Sequence, residues 1–79
     1  MRKKSYLRKE KELIAFGKHL RIIRKRKGMT MEDLAALSDM EYSQVSRIER
    51  WIISTSLSQV FALADALEVP YRDLFDFKV

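Results

Sequence analysis

The apolar positions of this chain recur at three- and four-residue intervals with no alternating stretch, so the regular elements they predict are all helices. The most informative stretch runs from Thr30 to Arg50. Leu34, Ala35 and Leu37 make one short apolar face, and Val45 and Ile48 make a second at i and i+3. Neither run is long enough to be stable alone, so two helices must pack on each other. Thr30 followed by Asp33 is a loose capping box for the first helix. Ser38-Asp39-Met40-Glu41 then breaks the period, and Asp39 tolerates the positive φ that a corner needs. With Val45 and Ile48 turned inward, a step of about 100° per residue directs Ser43, Ser46, Arg47 and Arg50 outward, with Tyr42 at the leading end. Over the whole chain the pattern predicts a core of Leu13, Phe16, Leu20, Ile23, Leu34, Val45, Ile48, Leu57, Val60, Phe61, Ala64, Leu67 and Leu74. Gly17 suits a close helix contact and Gly28 a helix stop after Lys27, while Ser56 with Gln59 caps a further helix.

These residues resemble the helix-turn-helix proteins of the phage repressor and Cro type, the XRE family. Leu34-Ala35 stand where the family has a leucine and then a small residue, and Val45 and Ile48 where it has buried branched residues. Glu49-Arg50 match its closing Glu-Arg. Upstream, FGKHLRIIRKRKGMT from Phe16 to Thr30 is similar to the family's first helix and its glycine stop. Downstream, TSLSQVFALADALEVPYRDLF is similar to its fourth and fifth helices. The resemblance implies an all-α, compact five-helix repressor-like DNA-binding domain over residues 12–79, with the helix-turn-helix at 31–50 and residues 1–11 as a basic N-terminal arm or helix extension. It also implies base contacts from the recognition helix 42–50 through Tyr42, Ser43 and Arg47, with Gln44 and Ser46 beside them. Arg47 has the fork to grip guanine O6 and N7, Gln44 the amide for adenine, and Tyr42 the ring for a thymine methyl or the hydroxyl for a phosphate. Phosphate contacts are expected from Thr30, Met31, Arg50, Ser54 and Thr55. Arg24 and Glu49 are expected as a buried ion pair tying the recognition helix to the scaffold.

Charge sharpens this picture because it is segregated. Residues 1–27 hold 12 Lys and Arg against two Glu, a balance of +10, and residues 28–79 hold four against nine, a balance of −5. Clustered cations gain by releasing counterions condensed on a polyanion. Arg2, Lys3, Lys4 and Arg8 are therefore expected to add phosphate contacts or to reach a minor groove, the competing reading being a merely solvated arm. Composition bounds the rest. Seventy-nine residues, 47% apolar and 34% charged, fit one globular domain. No cysteine means no disulfide framework, no apolar run approaches membrane-spanning length, and the basic start leads into more charge, so a cytoplasmic protein is expected. His19 is the single histidine, the two glycines form no phosphate loop, and the carboxylates are scattered. Neither an enzyme nor a cofactor, metal or small-molecule ligand is implied.

Four departures from the family pattern mark where it transfers least. Met31 replaces a common glutamine that touches phosphate, Asp39 replaces the corner glycine, and Glu41 puts a carboxylate near the start of the recognition helix. Trp51 stands where the family ends that helix with a left-handed glycine, which predicts a rearranged helix end. Trp51, Ile52 and Ile53 are apolar in a surface segment. They either fold back as a lid or form a dimer contact with Tyr71, Phe75 and Phe77. The expected function is sequence-specific binding of double-stranded DNA by a small transcriptional regulator, acting as a homodimer on a palindromic operator. The alternative is a protein-interaction module, an antitoxin or adaptor, with DNA binding secondary.

Overall fold

The computed structural model describes residues 8–79. Four α-helices follow one another: α1 (Glu10–Arg26), α2 (Met31–Ser38), α3 (Tyr42–Glu49) and α4 (Leu57–Leu67). The fifth segment, Tyr71–Phe75, is a 3₁₀ helix and not the fifth α-helix expected. Pro70 supplies no N–H and is followed by an i→i+3 bond from the Asp73 amide to the Pro70 carbonyl (2.9 Å), which tightens the backbone around a single inward residue, Leu74.

Local chemistry sets each helix. α1 has Glu10 and Glu12 in its first turn and Arg24, Lys25 and Arg26 in its last, as the helix dipole favours. Thr30 and Asp33 form a complete capping box at α2, each side chain accepting from the other's backbone amide at 3.0 Å. Ser56 and Gln59 do the same for α4. All four helices stop in the same way. A left-handed residue follows each one (Gly28, Asp39, Trp51 and Glu68), and the next amide reaches back to close a Schellman motif: Met29 to Arg24, Met40 to Ala35, Ile52 to Arg47 and Val69 to Ala64. The helix end at Trp51 is thus not rearranged. The tryptophan itself takes the left-handed geometry, φ 53°.

The core is one cluster led by the fully buried Leu20, Leu34, Val45, Ile48, Leu63, Leu67 and Leu74. α2 packs on α3 and α4, and α1 lies across α3 and the 3₁₀ helix. Where α1 crosses the end of α3, a Cβ on Gly17 would sit 2.5 Å from the Ile48 carbonyl oxygen, so only glycine permits that approach. Three expected core residues lie elsewhere. Leu57 is 68% exposed, Phe61 42% exposed and Leu13 half-buried. Leu37 is also exposed, since an eight-residue helix buries only the stripe of Leu34, Ala35 and Ser38.

Candidate nucleic-acid interface

α3 is gripped on one face and open on the other. Its inner stripe of Val45, Ile48 and Glu49 is buried. Glu49 accepts two hydrogen bonds from Arg24 on α1, Nε to Oε2 at 2.6 Å and Nη2 to Oε1 at 2.9 Å, and the two side chains are only 3% and 7% exposed. The third arm of the guanidinium, Nη1, donates to the Met29 carbonyl at 2.8 Å. Its bond to the Glu49 carboxylate raises the Arg24 pKa further above its ordinary value, against the opposing effect of burial. This pair, a scaffold contact expected from the resemblance, fixes α3 to α1 and to the turn preceding α2 at once.

Drawing Glu49 inward widens the buried arc of α3, and Ser46, one turn before it, is buried as well. Ser46 is therefore removed from the outward set in which the 100° count placed it. Tyr42, Ser43, Arg47 and Arg50 are exposed. Gln44 is half-buried, and its Oε1 accepts the Glu41 amide at 3.1 Å, so it closes the N-terminus of α3 while its amide NH₂ remains available. Glu41 is the exposed N-cap residue. The open face is led by a phenol, a hydroxyl and two guanidinium groups.

Around this face, Thr30 is exposed at the start of α2, with its hydroxyl accepting the Asp33 amide. Met31 leans its side chain on the core and leaves its backbone amide at the helix start. Ser54 is exposed, whereas the half-buried Thr55 hydroxyl is engaged with Gln59 Oε1 at 2.8 Å. Arg8 is engaged too. Its Nη2 donates to the carbonyls of Trp51 (2.8 Å) and Ile52 (3.3 Å), and its Nε pairs with Glu10 at 2.7 Å. Arg2, Lys3 and Lys4 lie outside the described residues.

The apolar candidates separate into two groups. Ile53 and Phe77 pack against the core, and Phe77 meets Phe16 edge-on at 6.5 Å. Trp51 does not join the core as a lid; Lys18 Nζ lies 5.6 Å from its ring centroid. Tyr71 and Phe75 are exposed, and beside them stand the two residues that pattern reading had buried, Leu57 and Phe61. The Phe61 and Tyr71 rings are 4.8 Å apart. The i, i+4 spacing of Leu57 and Phe61 on α4 matches a core stripe, and only the position of the 3₁₀ helix shows that nothing among the described residues covers it. His19 joins Nε2 to the Asp73 carbonyl at 2.7 Å and holds the 3₁₀ helix to α1.

Residues 20–74 match the model of the helix-turn-helix family HTH_3. The chain belongs to that family. Being of the XRE type, this HTH_3 protein is a DNA-binding transcriptional regulator. Among solved structures it is similar to the restriction-modification controller protein C.AhdI from Aeromonas hydrophila, at 40% identity over 82% of this chain and 98% of that one, with a TM-score of 0.81. It is also similar to the controller protein C.Esp1396I (31% identity, 81% of this chain and 83% of that one, TM-score 0.76). A hypothetical transcription factor from Neisseria, NHTF, aligns at 30% identity over 91% of this chain and 84% of that one, with a TM-score of 0.76. Comparison with curated protein sequences finds no match. α2, α3 and α4 lie wholly within the matched residues.

Proposed function

We propose that this protein regulates transcription in the cytoplasm by binding a short palindromic operator as a homodimer, placing the open face of α3 in the major groove. The observation that carries this reading is the division of α3. One face is locked by Arg24–Glu49, while Tyr42, Ser43 and Arg47 project from the other without a packing role. In this reading Arg47 reads guanine, Tyr42 and Ser43 read or brace neighbouring bases, and Gln44 contributes through its free NH₂. Ser46 takes no part because it is buried. Thr30, the Met31 amide, Arg50, Ser54 and the arm residues Arg2, Lys3 and Lys4 hold phosphates. The likeness to C.AhdI over nearly the whole of that chain supports a small regulator of the restriction-modification controller kind.

The dimer is supported by the face of Leu57, Phe61, Tyr71 and Phe75, each 42% to 68% exposed among the described residues. A second copy related by a two-fold axis would cover it and set two recognition helices about 34 Å apart, one turn of duplex. The remaining alternative, a protein partner of another kind, would dock on the same face. Selection from a random duplex library at about 150 mM salt tests the whole reading, because non-specific attraction is weak there, with Kd of about 10⁻⁴–10⁻⁶ M. Enrichment of an inverted repeat with half-sites about 10 base pairs apart is the expected result. A library that stays random would refute operator recognition. Enrichment of single half-sites would refute the dimer alone.

A further inference from the structure

Gln44 and Gln59 each occupy the third position of a helix, and each spends its carbonyl oxygen on a backbone amide. Gln59 Oε1 accepts from the Ser56 N–H at the start of α4, and Gln44 Oε1 from the Glu41 N–H at the start of α3, both at 3.1 Å. The orientation of the Gln44 amide follows from chemistry, because an N–H is met by the oxygen and not by the NH₂. The Glu41 amide is one of the donors that a helix start leaves without an intrahelical acceptor, so the bond has a structural purpose. What Gln44 has left to offer is its NH₂, with two donors and no acceptor. Three residues on stands the exposed Arg47, and residues at i and i+3 lie side by side on a helix. A guanidinium is also a donor only. At the edge of the open face of α3, the half-buried Gln44 thus adds a second donor group beside Arg47.

We propose that Gln44 is a specificity-determining residue that selects a G·C pair in the operator by donating to guanine, and that it does not read adenine. The inference rests on the proposed placement of α3 in the major groove. There guanine offers two neighbouring acceptors, O6 and N7, which suit the two hydrogens of one NH₂ group. An A·T pair sets a donor, the adenine N6–H₂, between its two acceptors, N7 and thymine O4, and that donor faces the NH₂ unfavourably. The adenine pairing expected of a glutamine needs Oε1 to accept from N6 while Nε2 donates to N7, and the cap takes away the accepting half. Turning the amide round to recover it would set the NH₂ against the Glu41 N–H, donor against donor. The cap at the start of α3 therefore also sets which base its edge can read.

The test titrates wild type, Gln44→Ala and Gln44→Glu against the operator selected at about 150 mM salt and against its single-pair variants. Wild type should require G·C at a position of each half-site where Gln44→Ala accepts A·T, the preference falling by about fivefold or more. Gln44→Glu keeps an oxygen for the Glu41 amide but has no donor for guanine, so it should lose the same preference. An A·T pair at the position that Gln44→Ala releases would overturn the assignment. So would a Gln44→Glu variant that keeps the wild-type choice, or a Gln44→Ala variant that matches wild type at every position. Hydrogen exchange of the Glu41 amide, read by NMR without DNA, checks the cap separately. It should quicken in Gln44→Ala and not in Gln44→Glu, and equal rates in all three proteins would overturn the reason for a donor-only Gln44. A wild-type library that stays random would refute operator recognition and the assignment with it, whereas every other adverse outcome leaves operator recognition standing.

Discussion

Replacing Glu49 by alanine isolates the contact on which the orientation of α3 depends. The change removes both carboxylate oxygens that meet Arg24 at 2.6 and 2.9 Å and leaves a guanidinium that is only 7% exposed with a single remaining acceptor, the Met29 carbonyl. Breaking a buried pair from one side costs about 3–5 kcal/mol, chiefly because the surviving charge is stranded. A domain of this size has about 4–12 kcal/mol in total, at 0.05–0.15 kcal/mol per residue. The expected loss is therefore at least a quarter of the stability and at most all of it. In thermal terms, about 4–8 °C per kcal/mol gives a fall in Tm of at least about 12 °C. Urea unfolding followed by far-UV circular dichroism measures it, with the m-value checking that the transition remains two-state. A second variant separates charge stranding from simple loss of packing. Arg24→Met combined with Glu49→Leu removes both charges and should recover most of the loss, since apolar replacement of a buried pair is often neutral. A single Glu49→Ala change within about 1 kcal/mol of wild type would refute the argument. So would a double variant no better than the single one.

Other perturbations probe the remaining joints. Gly17→Ala should destabilise the domain by about 1–3 kcal/mol, because its Cβ would meet the Ile48 and Glu49 carbonyl oxygens at 2.5 and 2.9 Å and force α1 off α3; thermal unfolding reads this directly. Glu68→Gly should stabilise it by about 0.5–1 kcal/mol, the relief of a left-handed residue less the greater backbone entropy of glycine, and an unchanged or lower Tm would contradict that balance. Hydrogen bonds from Thr30 hold the Asp33 carboxyl below its ordinary pKa of 3.8, so its folded pKa is depressed. Its contribution is present above about pH 4 and is lost as pH falls through the lower folded value. Asp33→Asn should therefore be less stable than wild type at pH 7, with the gap closing as pH falls below the ordinary carboxyl range in paired denaturation curves. On DNA, Arg47→Ala should cost about 1–3 kcal/mol at particular base pairs of the selected site, whereas a uniform loss over all sequences would mean that Arg47 touches phosphate only.

What the chain disclosed in advance follows from the range of the forces involved. Helix starts and stops are local, so the boxes at Thr30–Asp33 and Ser56–Gln59, the stop at Gly28 and the corner at Asp39 were all legible. The buried Arg24–Glu49 pair was legible only through resemblance, since no local pattern joins residues 25 positions apart. The errors occur where a position depends on a distant neighbour. Leu57 and Phe61 carry the spacing of a core stripe, but the 3₁₀ helix that would have to cover them sits alongside. Ser46 is outward by angle alone and inward once Glu49 turns to meet α1. Trp51 was expected to distort its helix end because bulky residues resist positive φ, yet Arg8 and Lys18 hold it there, and neither contact is visible from the recognition helix's own sequence.

The ties that bind α3 to the N-terminal part of the molecule gather at one end of it. Gly17 admits α1 against the Ile48 and Glu49 carbonyls, Arg24 grips Glu49, and Arg8 holds the two carbonyls that follow. Toward the other end the short turn from Asp39 to Glu41, the Gln44 bond to the Glu41 amide and the packing of Val45 beside α2 restrain the helix. An eight-residue helix is too short to persist in water by itself, so its direction is set by what it packs on, with its polar anchors at the C-terminal end. The N-terminal half, where Tyr42, Ser43 and Arg47 emerge, is then carried as the free end of a lever fixed near residue 49. Two classes of substitution should consequently separate on DNA. Changes at Gly17, Arg24 or Glu49 tilt or loosen the whole lever and weaken binding to every sequence together. Changes at Tyr42, Ser43 or Arg47 leave the lever in place and alter which sequence it prefers. Plotting affinity for the selected operator against affinity for a scrambled duplex would put the first class on the diagonal and the second below it. Anchor variants that change base preference while remaining folded would show that the recognition helix is not held rigidly from its C-terminal end.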